Sequence, residues 1–259
     1  MTVRTARRLG EKLGAGTSIA DRGGLVERLR RSKDESEVAA IAAAAELTDS
    51  IYSQLFEAGL TGRSEAEVAG WIMARMREQG AEPSFPPIVA AGPNGALPHA
   101  EPGARRVGEG ELVVIDMGSK LDGYCSDCTR TVATGALAAE AAEIYEVTLR
   151  ANELALEEVA AGREAAAVDA VARDLIAEAG YGENFGHGLG HGVGMEVHEA
   201  PRLGPRSGDN LVEGDVVTVE PGIYVSGRCG VRIEDLVVVG AGCVARNLSS
   251  HPKSLTVVD

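Results

Sequence analysis

The stretch LVVIDMGSKLDGYCSDCTRTV, Leu112 to Val132, carries the pattern on which the fold turns. Its apolar run Leu112 to Met117 predicts a strand and Tyr124 to Val132 predicts another. Leu121-Asp122-Gly123 between them is a hairpin signal, because the tight turns that join strands favour Asp-Gly. Each predicted strand carries one acid, Asp116 or Asp127. Centring the hairpin on its turn sets these two opposite or nearly opposite each other, on one face of the sheet. The plan recurs near the C-terminus. Asp215 to Glu220 and Val231 to Val237 flank a glycine-containing connection from Ser226 to Gly230, and centring near Gly227 sets Glu220 against Glu234.

Outward from the hairpins, helix signals also come in pairs. Ser32-Lys33-Asp34-Glu35 reads as a capping box ahead of the apolar series Val38, Ile41, Ala42 and Ala45, with a stop at Gly59. Ser64 to Glu67 is a second box, its helix running through Val68 and Ile72 to Gly80. Further on, an alanine- and glutamate-rich helix ends near Gly162 and another runs from about Ala165 to Gly180. Equivalent stops lie 103 and 100 residues apart. The expected fold is α+β: two pseudo-symmetric halves, each of two helices followed by antiparallel strands.

A chain of 259 residues can bury a core without disulfides or structural metals. Its net charge of -14 argues against nucleic-acid and anionic-membrane partners, which require a concentrated basic face. The basic cluster Arg28 to Lys33 reads as the approach to a helix. No apolar run reaches the roughly eighteen residues of a membrane span, and the N-terminus lacks an apolar signal core, so a soluble, cytoplasmic protein is expected. Four cysteines, Cys125, Cys128, Cys229 and Cys243, are too scattered for a disulfide framework. Cys125 and Cys128 form a C-x-x-C on a predicted strand, without the helix N-terminus that lowers a thiol pKa and without a second C-x-x-C for zinc.

Four acids at matching positions of two hairpins, with Val113, Val114 and Ile115 ahead of Asp116 and Val216, Val217 and Val219 ahead of Glu220, pose an electrostatic problem. Partly buried like charges must protonate or find cations, and two divalent ions would balance four carboxylates. Carboxylate-rich ligation with one imidazole suits manganese, cobalt, iron or zinc, whereas magnesium keeps more of its water. Three histidines crowd into FGHGLGHGVGMEVHEAP, Phe185 to Pro201: His187, His191 and His198. Composition does not decide which of them supplies the imidazole. Glycines on both sides of His191 would let backbone approach an ion closely, and His198 follows seven residues later.

Five motifs in this order resemble the metallopeptidases of the pita-bread fold, which include methionine aminopeptidases, Xaa-Pro aminopeptidases and prolidases. They are PHAEPG (Pro98 to Gly103), VIDMGSKLDGYCSDCTRT (Val114 to Thr131), GHGVGMEVHEAP (Gly190 to Pro201), TVEPGIY (Thr218 to Tyr224) and VRIEDLVVV (Val231 to Val239). The resemblance implies two divalent metal ions, manganese or cobalt first and zinc or iron as alternatives. Their ligands fall on Asp116, Asp127, His191, Glu220 and Glu234. Asp127 and Glu234 would bridge, Asp116 would belong to one ion, and His191 and Glu220 to the other. His99 and His198 match the histidines that flank the scissile peptide, and a water bridging the ions would attack it with Glu220 taking the proton.

GPNGALPHAEPG around His99, HGLGHGVG around His191 and SDCTRT after Tyr124 are nearer to the Xaa-Pro branch. The implied substrate is a peptide with proline after the scissile bond. Alternatives are a methionine aminopeptidase-like exopeptidase and a non-catalytic peptide-binding protein on the same fold, although all seven positions hold the expected residue types. His187 and Arg232 are candidate substrate-binding residues, Arg232 being equally placed to orient the acids, and His251 is expected to be structural or exposed. The pattern departs from the longer Xaa-Pro enzymes at the N-terminus. Residues 1–30 form a short segment where those enzymes carry a further domain, 31–259 form the catalytic domain, and a homodimer is among the expected assemblies.

Overall fold

A computed structural model describes residues 2–14, 16–17, 19–20, 23–241 and 245–259; Cys243 lies outside them. Two short helices come first, α1 (Val3–Lys12), which buries no residue, and α2 (Leu25–Arg31). One half of the fold comprises α3 (Glu35–Ala58), α4 (Glu65–Glu78), β1 (Glu82–Pro83), β2 (Ile88–Ala91), β3 (Leu112–Met117), β4 (Ser119–Leu121), β5 (Tyr124–Cys125) and β6 (Cys128–Ala133). The other comprises α5 (Ala139–Glu158), α6 (Ala165–Glu178), β7 (Gly190–Gly192), β8 (Glu199–Leu203), β9 (Val216–Val219), β10 (Gly222–Val225), β11 (Cys229–Arg232), β12 (Asp235–Val238) and β13 (Arg246–Asn247). Among the described residues no helix is long and apolar enough to cross a membrane.

The duplication is written into the backbone hydrogen bonds. Gly62 N–H donates to Val107 O and Val107 N–H to Arg63 O; Gly162 and Leu211 repeat this with Leu211 O and Arg163 O. Each half has its own apolar core. Ile51, Tyr52 and Leu55 of α3 meet Val113 and Ile115 of β3, while Ile144 and Ala151 of α5 meet Val217 and Val219 of β9. The helices therefore back the hairpins, leaving the opposite strand faces to meet between the halves.

One helix start differs from expectation. Asp34, not Ser32, caps α3: its carboxylate accepts the Ser36 and Glu37 amides, and the Glu37 side chain returns to the Asp34 amide. Ser32 instead donates its hydroxyl to Glu213 O and bridges to Asp215, so the chain is still extended there. The α4 box, Ser64 with Glu67, forms as expected.

In the first hairpin Asp122 and Gly123 adopt φ of 49° and 89°, as its tight turn requires. Lys120 pairs with Cys125 and Asp116 with Thr129, one continuous register. Asp127 therefore lies diagonal to Asp116, not opposite it, still on the same face. In the second hairpin Val219 pairs with Asp235 and Gly222 with Arg232, which brackets Glu220 and Glu234 directly opposite each other. Its turn is tighter than expected, with β11 resuming at Cys229 and Gly227 at φ 72°. Both hairpins break where the acids sit: β3 and β6 pair in one sheet and β4 and β5 in another, as β9 and β12 separate from β10 and β11. At the second break Glu220 N–H turns to Leu189 O, and Glu234 N–H reaches across to Thr129 O of the other half.

Candidate metal centre

At the junction of the halves, the structure brings together all four acids and His191. Single ligand atoms of Asp127, His191 and Glu234 lie within 4.8 Å of one another. His191 Nε2 is 3.5 Å from Asp127 Oδ2 and 3.3 Å from Glu220 Oε1. Its other nitrogen, Nδ1, donates to Gly192 O at 3.1 Å, which fixes the tautomer and turns the Nε2 lone pair toward the acids, the arrangement a metal-binding imidazole needs. The flanking glycines serve strand packing, not approach to an ion. A Cβ at Gly190 would strike the Thr218 carbonyl and one at Gly192 the Ala200 carbonyl.

Hydrogen bonds orient three of the carboxylates. Arg232 Nη2 donates to Asp116 Oδ2 at 2.6 Å, Thr129 Oγ1 to Glu234 Oε2 at 2.7 Å, and Thr218 Oγ1 to Glu220 Oε1 at 3.1 Å. Two buried oxygens, Asp116 Oδ1 and Glu234 Oε1, have no hydrogen-bond partner. An orphaned carboxylate oxygen is costly in an interior, and a cation is the partner these two lack. The donor set of oxygens plus one imidazole fits divalent metal ions.

Charge crowding appears in the titration behaviour. Burial and the neighbouring acids push Asp127 and Glu234 well above the usual carboxylate range. Burial lifts Glu220 to about 7, the Arg232 guanidinium opposing it. Burial, reinforced by His198, lowers His191 to about 3, so its ring is neutral. Four carboxylates share one guanidinium, an imbalance that divalent cations correct.

The centre opens into a cavity of about 990 Å³, lined by His99, His187 and His198 among others. The His198 ring lies edge-on to His191, with centroids 4.2 Å apart. His99 follows Pro98, whose carbonyl accepts Arg232 Nη1 at 3.1 Å. His187 sits deeper: Nδ1 donates to Gly188 O at 2.8 Å and Nε2 accepts from the Tyr224 hydroxyl at 2.9 Å, while burial lowers its pKa to about 4. Arg232 is 3% exposed and gives its donors to Thr129, Pro98, Tyr224 and Asp116. It orients an acid and the His99 loop, leaving little to offer a substrate carboxylate. His251 is structural, stacked on Tyr52 with centroids 5.1 Å apart. Cys125 and Cys128 are buried free thiols whose pKa burial raises.

Residues not anticipated from sequence also enter the site, beside Arg206, which sequence offers for a substrate carboxylate without placing it. Thr129 and Thr218 look like ordinary strand formers until their hydroxyls are seen on Glu234 and Glu220. Tyr224 joins His187 to Arg232 through its hydroxyl. Arg202 and Arg206 line the cavity, and neither guanidinium has a hydrogen bond or ion pair among the described residues. A cation four residues after His198 was the available signal for Arg202.

The sequence pattern of metallopeptidase family M24 matches residues 39–241. An Xaa-Pro dipeptidase of Pyrococcus horikoshii is 43% identical over 216 residues, covering 83% of this chain and 62% of the relative. A solved Xaa-Pro dipeptidase from Bacillus anthracis is 39% identical with a TM-score of 0.96, over 100% of this chain and 72% of the other. An X-Pro aminopeptidase from Thermotoga maritima is 38% identical with a TM-score of 0.93, over 99% and 73%. The chain spans about three fifths of the length of the Pyrococcus relatives it matches. It belongs to metallopeptidase family M24 and has the pita-bread fold. Membership implies divalent metal ions at the centre described above.

Proposed function

We propose that this family M24 member is a metal-dependent exopeptidase that hydrolyses peptide bonds preceding proline. The observation that carries the proposal is the convergence of four acids and a correctly oriented His191, two of whose neighbouring carboxylate oxygens are orphaned, on a cavity bordered by His99 and His198. Relatives named Xaa-Pro dipeptidase and X-Pro aminopeptidase support the substrate class. In this proposal Asp116, Asp127, His191, Glu220 and Glu234 hold two divalent ions, manganese or cobalt before zinc or iron. When bound, such ions polarise a substrate carbonyl and make water a nucleophile near neutral pH.

The chain's own groups supply the remaining steps. Glu220, with its side chain 17% exposed at the cavity, takes a proton from the attacking water and returns it to the leaving nitrogen. Thr218 holds the Glu220 carboxylate in place for that transfer. His198 and His99, which both line the cavity, donate hydrogen bonds to charge that develops on the peptide. Proline's nitrogen leaves as a secondary amine, so delivery of the proton matters. Arg202 and Arg206, whose guanidinium groups have no hydrogen bond or ion pair among the described residues, are the groups suited to a free substrate carboxylate. The catalytic unit comprises residues 31–259.

The test is a panel of Xaa-Pro, Xaa-Pro-Yaa and Met-Ala peptides assayed with manganese and again after chelation. Turnover of the proline peptides that disappears with chelator and returns with metal is the expected result. Preference for Met-Ala would assign the chain to methionine aminopeptidase-like chemistry. Binding of Xaa-Pro peptides without cleavage in saturating metal would make it a peptide-binding protein.

A further inference from the structure

The His198 imidazole makes no hydrogen bond among the described residues; its one ring contact is with His191. Its position therefore depends on the backbone of the 194–199 loop. That loop is tied down by a buried charge cluster outside the metal centre. Glu199, adjacent to His198, has a side chain 7% exposed and receives three donors. They are Arg30 Nη2, Lys33 Nζ at 3.4 Å and the Glu196 backbone amide at 3.0 Å. The Lys33 ammonium is more deeply buried, 1% exposed, and burial lowers its pKa while Glu199 opposes that shift.

The cluster also shapes the loop. The Glu199 carboxylate occupies the space above Gly194, where an added Cβ would lie 2.6 Å from Oε2. On its far side Gly194 O accepts Cys125 N–H at 2.8 Å, so the loop is clamped between the first hairpin and the N-terminal cations. Arg30 lies in the last turn of α2 and Lys33 in the extended link to α3, both before residue 39, where the family pattern begins. A buried lysine is expensive to maintain unless its charge is used.

We propose that Arg30 and Lys33 are positioning residues for catalysis: by gripping Glu199 they hold the loop backbone that aims His198 at the scissile peptide. This inference rests on the peptidase function and the His198 role proposed above. Lys33→Met leaves Glu199 held by Arg30 and the Glu196 amide within its own loop, and lets the loop shift. Displacement of a catalytic group by about 1 Å can cost a factor on the order of 100. The expected effect is a loss of about 10- to 100-fold in kcat for a Xaa-Pro dipeptide, with KM changed less than about threefold and manganese content retained.

The deciding experiment is a double-mutant cycle on the full chain with manganese. Lys33→Met should lower kcat in the wild-type background but have little further effect in His198→Ala, and Lys33→Arg should recover most of the activity. Additive losses would overturn the proposal, because a general loss of folded structure does not depend on His198. Loss of bound manganese in Lys33→Met would overturn it too, by placing the effect at the metal centre. Should Lys33→Met fail to fold, Arg30→Met, at a side chain 27% exposed, carries the same cycle. If the wild type itself cleaves no Xaa-Pro peptide, the proposed function fails, an outcome distinct from an active wild type with unaltered kcat in both variants.

Discussion

Stripping the metal should leave a protein in which the stability contributed by Glu220 falls as pH rises from 5 to 7.5, while His191 and His187, lowered by burial to about 3 and about 4, contribute in the opposite direction. Burial raises the folded pKa of Glu220 to about 7 from the ordinary value of 4.5. The folded state therefore holds the proton more tightly than the unfolded chain, and the associated stability is complete below pH 4.5 and lost as pH rises through about 7. Over this window the loss from Glu220 alone is about 2 kcal/mol, or roughly 5 °C in Tm for a chain of this size. Asp127 and Glu234, raised in the same direction, add to the slope. Bound metal reverses the trend, since ligands must deprotonate to bind it and affinity grows with pH.

Thermal melts in chelator and in saturating manganese, at half-unit pH steps, measure both slopes. In chelator, the stability of the wild type relative to Glu220→Gln should fall across the window by about the 2 kcal/mol assigned to that carboxyl. A wild-type minus Glu220→Gln stability difference that stays constant or grows across the window would refute the buried, charge-crowded description of the centre.

Glu220→Gln should keep the fold but lose at least about 100-fold in kcat, because an amide cannot take the proton; steady-state assays with circular dichroism check both halves of the statement. Arg232→Met should destabilise the metal-free protein by about 3 kcal/mol or more, measured by urea unfolding, since it removes the partner of buried Asp116 and releases Tyr224 and the Pro98 carbonyl. Gly190→Ala should lower Tm and metal content together, because the new methyl must part β7 from β9 at the Thr218 carbonyl. Asp34→Ala removes the α3 cap and should cost about 1 kcal/mol in denaturant midpoint without changing kcat.

The two hairpins, the paired helices and the four acids were legible because each rests on local periodicity and turn chemistry. One register running outward from Asp122-Gly123, kept across the break in the ladder, leaves little freedom over where Asp116 and Asp127 fall. Even the departures are small in sequence and large in chemistry. The α3 cap moved by two residues, because Ser32 was drawn into a bridge with Asp215 far along the chain, while Asp127 took the diagonal place that a nearly opposite setting allows.

By itself, then, the sequence determined the repeated helix–helix–hairpin plan and which acids and histidines were available to a site, since these depend on contacts within tens of residues. Tertiary structure alone decided the rest. Long-range packing selected the nitrogen that His191 turns to the acids, set Arg232 on Asp116 and the His99 loop, and left two carboxylate oxygens orphaned. It also joined Arg30 and Lys33 to Glu199, across more than 160 residues of chain. Side-chain direction, burial and charge compensation are properties of neighbours in space, and no local pattern records which neighbours those will be.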